Sequence, residues 1–432
     1  MQLKPTGIAI TAVALALPWI WLPALASKHD TIAVLSQYFG MAALIAMALT
    51  QIIATRLRFV ELIFGGLDRA YVLHKWLGIG ALVAILLHDT VDAEMRGLGR
   101  ETVLTEIAET LGEFSLYGIL ILVVITIATF IPYHLWRWTH KIMGAFFAFS
   151  AFHYLFILKP FSNTDPLGVY ISGMCLLGLL AYFYKIGPHW MRRTVAYDVT
   201  DVSSTGDATA ITLAPKKRAV RHRPGQFAFI SFGTPMGSEP HPFTISKAPD
   251  EAGNLRMTIA PLGDMTYNVN GQVSVGTTVR IEGPFGRFQR KKSTKPDIWI
   301  AAGIGITPFM AWAEAMQPTD TPATLIYCVR NSDNVSHLTE LKNRAEALPN
   351  LDLRLHVSHD QGRLSPDDII KITAGQLSQT QVYFCGPLPM RRSLGKALGE
   401  RGLPQRNFHY EEFEIRTGIG LRRLAQHLLK RL

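Results

Sequence analysis

Apolar positions along the chain change their spacing part-way through. As far as about residue 186 they form continuous runs of bilayer-spanning length. Beyond about residue 194 they alternate with polar positions or gather in strand-length groups. The long runs cover residues 7–26, 32–54, 70–88, 114–131, 141–158 and 168–184, each close to the ~20 residues a helix needs to cross a bilayer. The pattern predicts a six-helix transmembrane bundle over residues 1–186. The first run has a rival reading, because Lys4, an apolar stretch and Ala24-Leu25-Ala26 have the layout of a secretory signal with its cleavage site. An uncleaved anchor is the reading preferred. Cleavage leaves five spans and the C-terminus on the same side.

Over residues 187–293 the segments VAYDVTDV, TAITLAP, GQFAFISF, HPFTISKAP, LRMTIAPLG and TTVRIEGPFG lie between turn residues and predict a small antiparallel β-barrel. Over residues 294–432 strand and helix patterns alternate in DIWIAAGIGITPFMAWAEAM, ATLIYCVRN, LDLRLHV and QVYFCGPLPMRRSLGKAL, which predicts an α/β domain on a parallel sheet. The chain ends in TGIGLRRLAQHLLKRL, with Leu421, Leu424, Leu428 and Leu432 on one face. This segment reads either as a helix on an anionic leaflet or as an ordinary terminal helix.

Charge gives the bundle a direction. Arg56, Arg58 and Arg69 separate runs two and three, Arg137 separates four and five, and Arg192 and Arg193 follow run six. The connection between runs three and four is acidic instead, with Asp89, Asp92, Glu94, Glu101, Glu106, Glu109 and Glu113. The positive-inside rule then puts the later half in the cytoplasm and the chain in the cell (plasma or inner) membrane. The excess of Lys and Arg over Asp and Glu, 43 − 33 = 10, has its explanation in these loops. No basic stripe is interleaved with stacking aromatics, so a nucleic-acid partner is not expected. Cys175, Cys328 and Cys385 are too dispersed for a zinc site, a plant-type iron–sulfur cluster or a disulfide framework.

Ionisable residues inside a span mark functional positions by default, although a single histidine is more often a satisfied core or headgroup residue. Here they form a pattern. Run three carries His74 and His88, and run five carries His140 and His153. The separations, fourteen and thirteen residues, are ~21 and ~20 Å along a helix. The two runs point the same way, so His74 lies level with His140 and His88 with His153. Two histidines facing each other across a bundle are what a six-coordinate b-type haem needs, and two pairs stack two haems across the bilayer. Thirteen residues do not return to the same helix face, which requires a π-bulge in run five or a rotation between the two haems. His134 competes with His140 but falls in the connection PYHLWRWTH; His29 and His189 look interfacial.

With H-x13-H in the third run and H-x12-H in the fifth, the sequence resembles the ferric reductase and NADPH oxidase superfamily of transmembrane flavocytochromes b. The resemblance implies the same pairing, His74 with His140 and His88 with His153. It extends to His241-Pro242-Phe243-Thr244-Ile245-Ser246. Read alone, this stretch offers a fixed backbone at Pro242, a ring face at Phe243 and a hydroxyl at Thr244. HPFT looks like the superfamily's flavin signature, where soluble ferredoxin reductase relatives carry Arg first and Tyr third. The resemblance implies His241 near the FAD pyrophosphate, with Pro242, Phe243, Thr244 and Ser246 in the flavin segment. It also implies Gly263-Asp264-Met265-Thr266 at the FAD phosphates, with Gly263 and Thr266 as contacts.

In the α/β half, Gly303-Ile304-Gly305-Ile306-Thr307-Pro308 follows an apolar strand and opens a helix. Gly303 and Gly305 let the backbone approach a pyrophosphate, Thr307 can cap and Pro308 suits the first turn. The third position of the motif is proline, as in the ferredoxin–NADP reductase family. Arg330 ends the second strand, where a cation favours the 2′-phosphate, so NADPH is expected, with NADH as the alternative. Cys385-Gly386-Pro387 resembles the family's Cys-Gly motif at the nicotinamide, with Gly386 and Pro387 as cofactor contacts. Glu412-Phe413 resembles its late aromatic, with Phe413 shielding the flavin. Cys385, Thr244 and Phe413 are the residues expected at the reacting atoms.

The parts imply an NAD(P)H-dependent oxidoreductase. Electrons are expected to pass from NADPH to FAD, to the His74–His140 haem, to the His88–His153 haem and then to an outside acceptor. A ferric or other metal chelate, oxygen and a periplasmic protein all fit. In the animal oxidases a histidine four residues beyond the outer ligand lines an oxygen pocket; Asp92 stands there in this chain. That departure favours ferric reduction over superoxide production. Two other classes are kept in view: a histidine-relay transporter regulated by its soluble half, and a nucleotide sensor without turnover.

Overall fold

The computed structural model describes residues 3–91, 95, 98–127, 131, 133–187, 193–233, 239–262, 264–291 and 293–411, without the side chains of residues 133, 134, 264, 265, 268 and 270. Two compact units divide the chain, one running to residue 191 and the other over 192–413.

The first apolar run is not one straight helix. Pro18 and Pro23 interrupt it, so it folds as α1 (Pro5–Ala16), a 3-10 turn (Leu17–Ile20) and α2 (Leu22–Ala26). Next come α3 (Thr31–Ala54), α4 (Arg58–Phe64), α5 (Leu67–Thr90), α6 (Val103–Ile127), α7 (Tyr133–Phe156) and α8 (Pro166–Ile186). Asp30 caps α3, its carboxylate accepting from the Ala33 N–H at 3.0 Å. Thr102 does the same for α6, its hydroxyl oxygen accepting from the Thr105 N–H at 3.3 Å. With that cap α6 starts at Val103 rather than at 114, so Glu106, Glu109 and Glu113 sit on helix and not in a loop.

Among the described residues, five stretches are long and apolar enough to cross a membrane: Pro5–Ala26, Thr31–Ala54, Leu67–Thr90, Val103–Ile127 and Pro166–Ile186. The expected sixth, α7, matches them in length, but Arg137, His140, Lys141 and His153 dilute its apolar character. It is α-helical throughout, without the π-bulge that the thirteen-residue spacing allows for. It also starts eight residues early, at 133 instead of 141, and takes the backbone of His134 into the helix.

Lipid is as apolar as leucine, so packing rather than the hydrophobic effect joins such helices. The α3 helix is central, with Ile45, Ala48 and Ile53 fully buried; it packs along α5 and α8, while α6 packs along α7. Outward positions stay apolar, among them Trp76, Val83, Ile121, Val124, Leu176, Leu180 and Phe183. That is the surface a bilayer requires.

The second unit holds two sheets. Strands β1 (Thr194–Thr205), β2 (Ala208–Pro215), β3 (Phe227–Ser231), β4 (His241–Thr244), β5 (Leu255–Ile259) and β6 (Thr278–Phe285) form a six-stranded antiparallel sheet in the order β4-β3-β6-β1-β2-β5, with α9 (Asp264–Gln272) before β6. An Ile245–Met257 bridge brings the two edges together around a core of Tyr197, Ile211, Ile230, Leu255, Met257 and Ile281.

The other sheet is parallel. Its chain order is β7 (Asp297–Ala302), α10 (Thr307–Ala315), β8 (Ala323–Val329), α11 (Leu338–Ala347), β9 (Leu351–Val357), α12 (Ser358–Gln361), α13 (Pro366–Ile372), β10 (Gln381–Cys385), α14 (Leu388–Glu400) and β11 (Phe408–Tyr410). The strand order β11-β10-β7-β8-β9 reverses direction between β7 and β10. Ligands of open α/β sheets bind at the carboxyl ends of the strands at such a switch point.

Candidate functional site

The four intramembrane histidines share one arrangement. His74 and His88 lie on α5, and each ring is held by α3. Nδ1 of His74 donates to the Thr50 carbonyl at 3.1 Å, and Nδ1 of His88 donates to the Ser36 carbonyl at 3.0 Å with the Ser36 hydroxyl 3.1 Å away. His140 and His153 lie on α7 and are held by α6. Nδ1 of His153 donates to the Ala108 carbonyl at 2.9 Å. The Thr126 hydroxyl, whose proton goes to the Leu122 carbonyl, accepts from Nδ1 of His140 at 3.4 Å. A carbonyl can only accept, so the proton of a neutral imidazole is fixed on Nδ1 and the lone pair on Nε2. This is how histidine ligands are oriented for a metal.

The rings of His74 and His140 face each other with centroids 6.1 Å apart, and Trp136 stacks on His140 at 5.3 Å. His88 and His153 line a common cavity of about 380 Å3 with Asp89, Glu109, Glu113 and Lys159. Two glycines make room beside them. A Cβ on Gly40 would lie 3.2 Å from the His88 ring, and one on Gly112 would lie 2.5 Å from Nδ1 of His153. Two neighbouring imidazoles at one depth and two lining one cavity at the other, each engaged through Nδ1, are a donor set that fits haem ligation.

In the second unit the ends of β7 and β10 form the mouth of the switch-point crevice. Gly303 has a left-handed φ of +55° and opens a 3-10 turn (Gly303–Ile306) that leads into α10. A Cβ on Gly305 would collide with the Cys385 carbonyl, and one on Gly386 would come within 2.7 Å of the Ala302 side chain. Both glycines therefore serve the close approach of two strand ends. Thr307 is not the cap expected of it: it is already helical, and its hydroxyl donates to the Ile304 carbonyl at 3.1 Å. Pro308 is in the first turn as anticipated, and Pro387 precedes α14. Arg330 is exposed directly after β8.

Cys385 is fully buried, and burial, reinforced by the nearby Glu411 carboxylate, pushes its thiol well above the usual range. The group is a neutral buried thiol at neutral pH, not a thiolate nucleophile. Glu411 also approaches Gly286 at the end of β6, so it lies between the two sheets. Sequence reasoning overlooked Glu411, although an acid directly after a strand end and just before the expected flavin shield was a usable signal.

His241, Pro242, Phe243 and Thr244 form β4, paired with Ile230, Phe229, Ala228 and Phe227. Thr244 is buried, whereas His241 and Phe243 are half-buried. Ser246 lies beyond the strand, its hydroxyl 2.9 Å from that of Thr258. Thr266 on α9 accepts from the Leu262 N–H at 2.8 Å. Gly263, Phe413, Asp92 and the basic tail lie outside the described residues.

The profile of the ferric reductase like transmembrane component matches residues 39–151, that of an FAD-binding domain 194–290 and that of an oxidoreductase NAD-binding domain 299–396. The chain carries a ferric reductase-like transmembrane component. The three matches join a membrane component to FAD- and NAD-binding domains of the oxidoreductase kind. Curated relatives include the toluate 1,2-dioxygenase electron transfer component of Pseudomonas putida, 26% identical over 198 residues, covering 44% of this chain and 58% of that protein. Another is the 2-halobenzoate 1,2-dioxygenase electron transfer component of Burkholderia cepacia, 25% identical over 242 residues, covering 52% of this chain and 70% of that one. The chain thus spans less than two thirds of the first relative's length. Among solved structures, a flavohemoglobin from Malassezia yamatoensis with bound FAD and heme is similar in fold, with a TM-score of 0.50 at 18% identity over 92% of this chain and 98% of that one.

Proposed function

We propose that the protein moves electrons from NAD(P)H across a membrane, by way of FAD and two b-type haems, to an acceptor on the far side, with a ferric chelate as the favoured acceptor. The four histidines carry the reading: one pair in ring contact and one pair lining a single cavity, each ring tied through Nδ1 to a supporting helix and left with Nε2 to bind metal. The 6.1 Å between the ring centroids of His74 and His140 supports these two residues as the ones that would hold one haem. Fourteen residues along α5 put the second pair ~21 Å deeper.

When bound, the flavin converts a two-electron hydride into single electrons that haem iron accepts. The chain supplies the holding groups. His241, Pro242, Phe243, Thr244 and Ser246, with Gly263 and Thr266, hold the flavin; Gly303, Gly305, Thr307 and Pro308 take the nucleotide pyrophosphate. Arg330 reads the 2′-phosphate of NADPH. Cys385, Gly386 and Pro387 border the nicotinamide, and Phe413 covers the flavin. The three domains are residues 1–186, 187–293 and 294–432, with α7 as the sixth span and the antiparallel sheet closing as a barrel.

Arg56, Arg58 and Arg69 lie at one end of α3 and α5, while Asp89, Glu106 and Glu109 lie at the other. This asymmetry supports a cytoplasmic location for the sheets in the cell membrane. The cavity at His88 and His153 opens among Asp89, Glu109 and Glu113, a lining that suits a cationic metal. The test is reconstitution in vesicles, with NADPH outside and a ferric chelate inside. Internal ferrous iron is expected. Superoxide without ferrous iron makes oxygen the acceptor. A haem-free protein that still moves protons overturns the reading in favour of a transporter.

A further inference from the structure

The two sheets of the second unit are joined by a closed ring of side chains. The Ser246 hydroxyl lies 2.9 Å from that of Thr258, which lies 2.9 Å from Nε2 of His337. Nδ1 of His337 donates to Glu340 at 2.9 Å. Glu340 accepts from Arg256 at 3.0 Å, and Arg256 returns to the Ser246 carbonyl at 2.8 Å. Arg256 and Thr258 lie on β5 and Ser246 just beyond β4, whereas His337 and Glu340 lie at the start of α11, between two strands of the parallel sheet. Ser246, Thr258 and His337 are all buried, so these bonds are shielded from water.

The location gives the ring its meaning. Ser246 follows the HPFT strand by one residue. His337 ends the loop that begins at Arg330 after β8, and it holds a left-handed φ of +60° that a non-glycine residue seldom adopts. Its N–H donates to the Thr205 hydroxyl at 2.7 Å, which docks the same loop on the β1–β2 hairpin. A second clamp follows immediately. Glu314 accepts from the Ala248 N–H at 2.8 Å and from the Lys247 ammonium at 3.2 Å. Glu314 lies on α10, the helix opened by the Gly303–Gly305 turn. The exit of the flavin strand, Ser246–Lys247–Ala248, is therefore fastened to both elements that follow the nucleotide-binding turns.

Hydride transfer requires the reacting atoms to stand ~3–3.5 Å apart, and an error of 1 Å costs on the order of a hundredfold in rate. The donor and acceptor are held by different sheets, so the rate depends on how rigidly the sheets are registered. We propose that Thr258 and His337 are positioning residues for hydride transfer, locking the nucleotide-reading loop to the flavin strand through Ser246. The inference rests on the FAD and NAD(P) assignment of the two sheets and not on the haem reading. A haem-free protein leaves it standing; a protein that binds neither FAD nor NAD(P)H removes its basis.

Thr258→Val keeps the shape and deletes the hydroxyl, whereas Thr258→Ser keeps the hydroxyl. In stopped-flow reduction of the FAD-loaded full chain at saturating NADPH, T258V is expected to be about tenfold slower, with T258S close to the unmodified protein. NADPH affinity should change less than twofold. Amide exchange at Ser246 and Ala248 should accelerate in T258V and not in T258S, a readout that needs no turnover. His337→Gln, which cannot reach Thr258 and Glu340 together, should reproduce T258V and decides the matter if T258V does not fold. Equal rates for T258V and T258S, or unchanged reduction in H337Q, overturn the proposal.

Discussion

The imidazole rings of His74 and His140 stand 6.1 Å apart between centroids, on two helices that are supported from behind by two others. The α3 helix fixes the α5 histidines and α6 fixes the α7 histidines, in each case through Nδ1. The unequal spacing of fourteen and thirteen residues is thus absorbed without any change in helix type. Each α7 ring has its own partner on α6, Thr126 for His140 and Ala108 for His153.

Single removals should sort the four histidines into two pairs. His74→Ala and His140→Ala are each expected to lower haem content from two to one per chain by losing the same haem. His88→Ala and His153→Ala should lose the other. Pyridine haemochrome assay together with low-temperature spectra distinguishes the two haems. Two haems retained in any of these variants contradicts the pairing.

The glycines beside the rings should show graded effects. A Cβ on Gly112 meets Nδ1 of His153 at 2.5 Å, whereas one on Gly40 meets the His88 ring at 3.2 Å. Gly112→Ala should displace the ring and abolish one haem, while Gly40→Ala weakens its retention by roughly tenfold, as loss of ligand support does. Haem retention on a desalting column reads both. Equal behaviour of the two variants counts against the geometry.

Much of this was legible in the sequence because its signals are local. The apolar runs, the histidine spacing, HPFT and the Gly303–Pro308 turn need no knowledge of distant residues. The start of α6 was misjudged because its first turns carry three glutamates, which a helix tolerates beyond the apolar region once Thr102 caps it. The supports of His74 and His153 are the backbone carbonyls of Thr50 and Ala108, which carry no residue-type signature. The Ser246–His337 ring is assembled from residues up to 94 positions apart (340 − 246), and only the folded sheets bring them together.

Arg330 stands exposed at the end of β8, where the adenosine ribose of a dinucleotide is read. Charge-assisted contacts to a phosphate contribute roughly 1.5–3 kcal/mol, or about ten- to hundredfold in affinity. Arg330→Ala should raise KM for NADPH by about that factor and leave KM for NADH nearly unchanged. Parallel loss with both nucleotides removes Arg330 from phosphate recognition.

His409 gives the second unit a pH dependence. It is buried, hydrogen-bonded to Gln381 at 2.8 Å and stacked on Tyr383. Burial and the nearby Lys291 cation push its imidazole down to about 3. The unfolded chain takes up this proton near pH ~6.5 and the folded chain only near 3, so the stabilisation is complete above ~6.5 and declines as pH falls. The loss at pH 5 is about 2 kcal/mol. FAD release on heating, compared at pH 5 and 7.5, should show this slope in the parent chain and a shallower one in His409→Gln. An unchanged slope contradicts the assignment.

The central claim is that nicotinamide-binding sheets and haem-binding helices form one electron path. An anaerobic visible spectrum of haem- and FAD-loaded protein, before and after NADPH, tests it most directly. The account predicts reduction of two b-type haems per FAD, with reoxidation on adding a ferric chelate. Flavin bleaching with both haems left oxidised, or a folded protein that takes up no haem, contradicts it.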